Sequence, residues 1–203
     1  MEILARRVEI CGGIASGKTT LASVLNGCGF DAVFEDFRAN PFWEAFYADP
    51  ASYAFETEVT FLLQHYHGVK KTAESSRLFV CDFSFVLDRA YVDVTLRDAK
   101  RRTFLTVFDE VHRELGKPGL LLHLRCSAET ELARIRQRAR ATERSISIEY
   151  LDSLNDAVER YANAAAATVR TLCIDSDRQN FATDELTRRD VAKMVRAEFC
   201  SLG

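Results

Sequence analysis

The sequence predicts an α/β protein built as a three-layer sandwich, a five-stranded parallel sheet flanked by helices, and three observations carry that prediction. Five short runs, Val8–Cys11, Ala32–Phe34, Leu78–Cys81, Leu120–Leu124 and Leu172–Ile174, are apolar at all positions but Glu9 and His123 rather than alternating, as strands covered on both faces are. Longer helical patterns separate them, the spacing of parallel strands joined by crossovers. The first run leads directly into a glycine-rich turn, and an amphipathic stretch with Leu21, Val24 and Leu25 follows.

That turn, Gly12-Gly13-Ile14-Ala15-Ser16-Gly17-Lys18-Thr19-Thr20, fits the pattern G-x-x-x-x-G-K-[ST] in full, and its strand–turn–helix setting separates a P-loop from a plain glycine-rich turn. Small residues let the backbone wrap a phosphate chain, so that several N–H groups converge on its oxygens. A helix starting at about Lys18 turns its positive end to the same anion. Lys18 can reach the β- and γ-phosphates, and the Thr19 hydroxyl can ligate Mg²⁺. The fold class is therefore a P-loop NTPase sandwich.

Further along, Asn40-Pro41 reads as an N-cap followed by proline at the first helical position, opening a short helix Pro41–Tyr47. Asp49-Pro50 stops it and starts a second helix to about Glu74. Lys117-Pro118-Gly119 turns into the fourth strand, Ala128–Arg138 is helical and very basic, and a long helix runs from Ser147 to about Val169. Asp184–Phe199 is amphipathic on Leu186, Val191, Met194 and Val195.

Composition excludes several classes. The 203 residues suit one domain, 1–203, with a sizeable core. A formal net charge of −3 pulls the surface toward neither nucleic acid nor anionic lipid. No apolar run spans a bilayer, and Glu2, Arg6 and Arg7 rule out a signal peptide. The six cysteines form no C-x-x-C pair and read as small apolar residues in a reducing cytosol, although Cys11 and Cys81 end strands beside the expected phosphate site.

Ligands of such sheets bind beyond the carboxyl ends of the strands. Glu35 and Asp82 follow strands and converge there with the P-loop. Glu35 is either a proton acceptor beside a γ-phosphate or a solvated loop acid; Asp82 helps hold Mg²⁺, caps the helix that follows, or does both. Arg134 and Arg138 share one helix face, Arg136 and Arg140 another. Two such rows beside a nucleotide suit a lid over transferring phosphate better than a solvated face or a nucleic-acid patch. Trp43, Phe46, Tyr47, Phe55 and Phe61 read as core aromatics. Glu58 and His65, seven apart on one face, read by themselves as a surface pair.

Five stretches together, GGIASGKTT, FEDFRANPFWEAFYADPASYAFETEVTFLLQHY, LFVCDFSF, RIRQRARATERSISIEYL and IDSDRQNF, resemble the deoxynucleoside kinases, notably a bacterial group close to deoxyadenosine and deoxyguanosine kinases. The resemblance runs from Val8 to Phe181. It implies transfer of the γ-phosphate of ATP to a deoxynucleoside 5′-OH, with Glu35 as base and Lys18, Thr19 and Asp82 on the phosphates and Mg²⁺. Arg134, Arg138 and Arg140 would be lid arginines, and Tyr47 and Glu143 would bind the sugar 3′-OH. Glu58 would read the base, Asp88 would lie behind it and Tyr91 would stack on it. His65 stands where many members carry arginine, and Asp177 falls in the loop that packs on adenine. A cytoplasmic homodimer is implied, with no nucleic-acid partner.

Two departures stand out. Phe83 replaces the arginine of the family's Asp/Glu-Arg-Ser motif, for which Arg89 is a possible stand-in. Glu58 replaces glutamine, and an ionised carboxylate, which only accepts, suits guanine over thymine, favouring a purine. The rival readings are a thymidylate-type nucleoside-monophosphate kinase, with Arg38 to hold the acceptor phosphate, and a nucleotide-binding module that has lost turnover.

Overall fold

The structure, a computed structural model, describes residues 6–75 and 77–200. The expected strands are present with small shifts at their ends: β1 (Arg7–Cys11), β2 (Asp31–Val33), β3 (Phe79–Cys81), β4 (Leu120–Arg125) and β5 (Thr171–Asp175). All pairings are parallel and the order is β2-β3-β1-β4-β5. β1 lies between β3 and β4, with Val8 opposite both Val80 and Leu120. The strand order reverses beside β1, so the turn after it opens into the crevice where such sheets bind ligands.

Eight α-helices are assigned within the described residues: α1 (Lys18–Asn26), α2 (Trp43–Ala48), α3 (Pro50–Ala73), α4 (Phe85–Thr95), α5 (Asp98–Leu115), α6 (Ala128–Arg138), α7 (Ile148–Ala166) and α8 (Glu185–Cys200). They divide between the faces as a period-two strand demands. Leu120, Leu122 and Leu124 pack with Leu21 and Leu25 of α1 and Val191 and Val195 of α8. Leu121 points the other way, into a cluster with Leu87 of α4 and Leu151 and Leu154 of α7. A third cluster joins Leu62 of α3 and Phe104 and Phe108 of α5 to Phe79 and Cys81 of β3.

Local chemistry sets the ends. The Asp49 carboxylate accepts from the Ser52 N–H with Pro50 behind it, and Ser84, Ser127 and Ser147 cap α4, α6 and α7 in the same way. The short helix corrects one expectation: α2 begins at Trp43 rather than Pro41. Asn40 is not its cap but a buried strut. Its Oδ1 accepts from the Phe42 N–H and its Nδ2 donates to the Thr57 carbonyl, which holds the intervening residues in a turn and fastens them to α3.

β1 carries two charges that an apolar run does not suggest. Arg7 and Glu9 are almost wholly buried, at 2% and 1% exposure, and pair at 2.8 Å. Arg7 also donates to the Leu115 and Gly116 carbonyls at the C-terminal end of α5, and Glu9 accepts from the Phe85 N–H at the start of α4. Each charge faces the helix end of opposite polarity, so the pair bolts two crossover helices to the central strand. Breaking a buried pair from one side strands the other charge. Arg7→Met should lower unfolding stability by about 3–5 kcal/mol, read by urea titration, and adding Glu9→Gln should recover part of the loss.

Candidate active site

The P-loop is shaped from below as well as from above. Gly17 ends it at φ 106°, in the left-handed region, and releases the chain into α1 at Lys18. A Cβ at Gly13 would lie 2.2 Å from both Glu131 Oε1 and Asn155 Oδ1, so the loop rests on those two side chains. Asn155 donates to Glu131 at 3.1 Å. Burial pushes the Glu131 carboxyl up to about 8, against the pull of Asn155, Lys18 and Arg134, so at neutral pH it is mostly the uncharged acid. Sequence reading missed Glu131, although it shares the buried face of α6 with Ala128 and Ile135.

Above the loop lies a cavity of about 490 Å³. The P-loop lines one end with Ile14, Ala15, Gly17, Lys18, Thr19 and Thr20, while Gly12, Gly13 and Ser16 form its buried underside. Lys18 Nζ donates to the Gly12 and Gly13 carbonyls at 3.0 and 2.8 Å. Burial lowers its pKa, opposed by Glu35, Glu131 and Asp82.

Glu35 lines the same cavity, on the P-loop's rim. Its backbone N–H donates to Asp82 Oδ1 at 2.7 Å, which ties the loop after β2 to the end of β3. Burial raises its carboxyl, but a hydrogen bond and the charge of His65, with Lys18 and Arg140, outweigh burial and leave it below the ordinary value. Asp82 is raised by burial despite the Glu35 N–H and the Thr19 hydroxyl. The Thr19 hydroxyl and Asp82 carboxylate are hard oxygens side by side, a donor set that fits Mg²⁺, which keeps waters and takes phosphate oxygens for the rest of its shell.

The far end is aromatic and acidic. Trp43, Phe46, Tyr47, Phe61 and Tyr91 line it; Phe46 is core as expected and Tyr47 and Phe55 pack against that core, while Trp43 and Phe61 serve as walls. Glu58 and His65 are not a surface pair: both are buried and both line the cavity. Glu58 accepts from the Thr95 hydroxyl at 3.4 Å, and burial, reinforced by Asp88, raises its pKa well above the ordinary range. Burial and Asp88 thus act against the ionised form on which the sequence reading of this residue was built. His65 Nε2 lies 2.9 Å from Glu35 Oε2, and its Nδ1 lies 3.0 Å from Asp88 Oδ1. Its ring stacks on Phe83, centroids 3.9 Å apart and planes 6° apart. Burial alone would lower its pKa; Asp88 and Glu35 together raise it to about 10.

The arginines divide the work. Arg138 and Arg140 both donate to the buried Glu143, at 2.7 and 3.2 Å, and Arg140 lies over the Phe37 ring. Arg134 donates to the Ala15, Ser16 and Ser176 carbonyls, clamping the P-loop to the segment after β5. Two expected residues fall elsewhere. Asp177 does not line the cavity; its carboxylate accepts from the Ser127 N–H at the start of α6. Arg89 is no stand-in for the missing arginine: it lies against Phe108 and Tyr161, beside Asp109. Phe37, Thr57 and Leu87 complete the lining, and no charge or motif marked them in the sequence.

Comparison with known proteins identifies the family and the fold. The family model described as deoxynucleoside kinase matches residues 8–201. Deoxyadenosine kinase of Dictyostelium discoideum is 27% identical over 96% of this chain and 80% of its own length. Deoxyguanosine kinase of Bacillus subtilis is 25% identical over 93% of this chain and 95% of its own. Among solved structures, deoxyadenosine kinase from M. mycoides with dCMP and a flexible dCDP bound matches with a TM-score of 0.82 at 19% identity, over 94% of this chain and 99% of that one. That likeness speaks for the fold, a five-stranded parallel sheet of the P-loop kinase type. The chain belongs to the deoxynucleoside kinase family.

Proposed function

We propose that this enzyme, an ATP-dependent deoxynucleoside kinase, prefers a purine deoxynucleoside and uses Glu35 as the base on its 5′-OH. The observation that carries the reading is the shared cavity: Glu35 and Lys18 line one space, with Asp82 bonded to the Glu35 backbone. Transfer of a phosphoryl group needs little covalent help from the protein, so catalysis is positioning and charge stabilisation. The P-loop N–H groups and Lys18 take the donor phosphates. Thr19 and Asp82 would hold Mg²⁺, whose charge offsets that of the phosphates. Arg138 and Arg140, held over the cavity by Glu143, face the transferring group, and Arg134 keeps the loop in shape beneath it. Asp177 acts at one remove, by fixing the start of α6 near the ATP end.

At the acceptor end, Tyr91 and Phe61 offer faces for a base, and Tyr47 and Glu143 reach the sugar 3′-OH. Burial and Asp88 favour the protonated form of Glu58, which both donates and accepts and so can pair with the donor and acceptor on the edge of a base; the preference for purines rests on the relatives. The named relatives act on deoxyadenosine and deoxyguanosine. A monophosphate acceptor is disfavoured, because Arg38 lies against Phe37 rather than lining the cavity. The reading carries with it one catalytic domain working as a cytoplasmic homodimer without nucleic acid, which rests on the family resemblance.

A phosphorylation assay with ATP, Mg²⁺ and the four deoxynucleosides tests the whole reading. Purines should give the highest kcat/KM; thymidine as best substrate would overturn the purine preference, and ATP binding without product from any of them would overturn the activity. Glu35→Ala should lower kcat about 10²–10⁴-fold while calorimetry still finds ATP bound; near-normal turnover would remove Glu35 from the chemistry. Glu58→Gln, which keeps one donor and one acceptor, should hold purine kcat/KM within about threefold, whereas Glu58→Leu should lose it.

A further inference from the structure

His65 is the buried ionisable group at the cavity whose residue type phosphoryl transfer does not call for, and its surroundings are the most specific in the molecule. Four elements meet on it. α3 supplies the ring, α4 supplies Asp88, the segment after β3 supplies Phe83 and the loop after β2 supplies Glu35. Carboxylates only accept hydrogen bonds, so His65 meets Glu35 at 2.9 Å and Asp88 at 3.0 Å together by carrying a proton on both ring nitrogens; burial raises the Asp88 carboxyl, and the charge and hydrogen bond of His65 oppose that rise. The Phe83 ring, parallel at 3.9 Å, fixes the plane in which both point. Phe61 lies beyond on a second stacked contact, at 6.0 Å. With both nitrogens engaged, none is left to meet a base.

Resting on the phosphoryl-transfer reading above, we propose that His65 is a positioning residue, an imidazolium clamp that aims the Glu35 carboxylate at the acceptor hydroxyl rather than a reader of the base. Glu35 needs such a clamp. It follows a three-residue edge strand, its side chain is 33% exposed, and the Asp82 bond restrains its backbone rather than its carboxylate. Asp88 does for His65 what His65 does for Glu35: it fixes the far nitrogen, so the ring cannot flip. Phe83 then has a reason to be aromatic, because an arginine there would displace the ring from its seat.

The two roles predict different kinetics. A base reader loses different amounts with different bases; a clamp on the general base loses the same factor with all. His65→Gln and His65→Ala are compared with the wild type on every deoxynucleoside it accepts. For His65→Ala, kcat should fall about 100-fold, the cost of a misplaced reacting group, by one common factor across bases. KM for ATP and for each deoxynucleoside should stay within about twofold. His65→Gln, with one donor left, should lose less, and added imidazole should restore part of the turnover of His65→Ala but none of that of Glu35→Ala. Calorimetry of ATP binding counts folded sites, and if His65→Ala fails to fold, His65→Gln carries the comparison across bases. Unchanged kcat, a loss confined to KM, or a loss that differs from base to base would overturn the clamp. A wild type with no turnover on any deoxynucleoside would instead overturn the functional reading beneath it, and the clamp with it.

Discussion

The bond from the Glu35 N–H to the Asp82 carboxylate, 2.7 Å long, is the constraint on which the site depends. β2 is an edge strand of three residues, and the chain that leaves it has few restraints of its own. Asp82 sits at the end of β3, next to β1, where the P-loop begins. Tying one to the other converts strand order into chemistry, because a carboxylate carried at the sheet's edge is drawn in over the phosphate end of the cavity. The Asp82 carboxylate also faces the Thr19 hydroxyl, so one acidic side chain joins donor and acceptor halves.

Charge in this molecule is organised by burial. Near the cavity stand carboxyls in three conditions. Glu35 is held below the ordinary value by His65, Lys18 and Arg140; Glu58 is raised well above it by burial and Asp88; Glu131 is raised to about 8 by burial beneath the loop. Their differences come from neighbours rather than residue type, which is how one protein keeps an acceptor of protons and a donor of hydrogen bonds within one pocket. The buried Arg7–Glu9 pair uses the same logic structurally, matched to the ends of α5 and α4.

Much of this was legible in the residues. Apolar runs placed all five strands to within a residue, although burial on both faces holds for β1, β3 and most of β4, and not for the edge strands β2 and β5, which are only partly covered. The P-loop has a fixed spacing because a phosphate has a fixed size, and serine or aspartate before an apolar run marks a helix start. What escaped has physical causes. Glu58 and His65 looked like a surface pair because spacing along a helix gives a face but not what covers it, and here α4 covers it. Trp43 and Phe61 looked like core because a cavity wall and a core have the same composition, and Phe46 is both. Arg7 and Glu9 are invisible as a buried pair because their partners are backbone groups more than seventy residues away. α5 leaves no sharp start, since Arg97 offers no side-chain cap.

Arg134 reaches across from α6 and spends its guanidinium chiefly on main-chain oxygens of residues 15, 16 and 176. A grip on carbonyls is blind to what side chains those residues carry. The Ser176 hydroxyl is gripped as well, at 3.0 Å, and itself donates to the Ser16 carbonyl, so three segments are locked by one side chain that has no substitute of equal reach and geometry. Loss of that one guanidinium would therefore loosen the phosphate loop, the start of α6 and the segment after β5 at once.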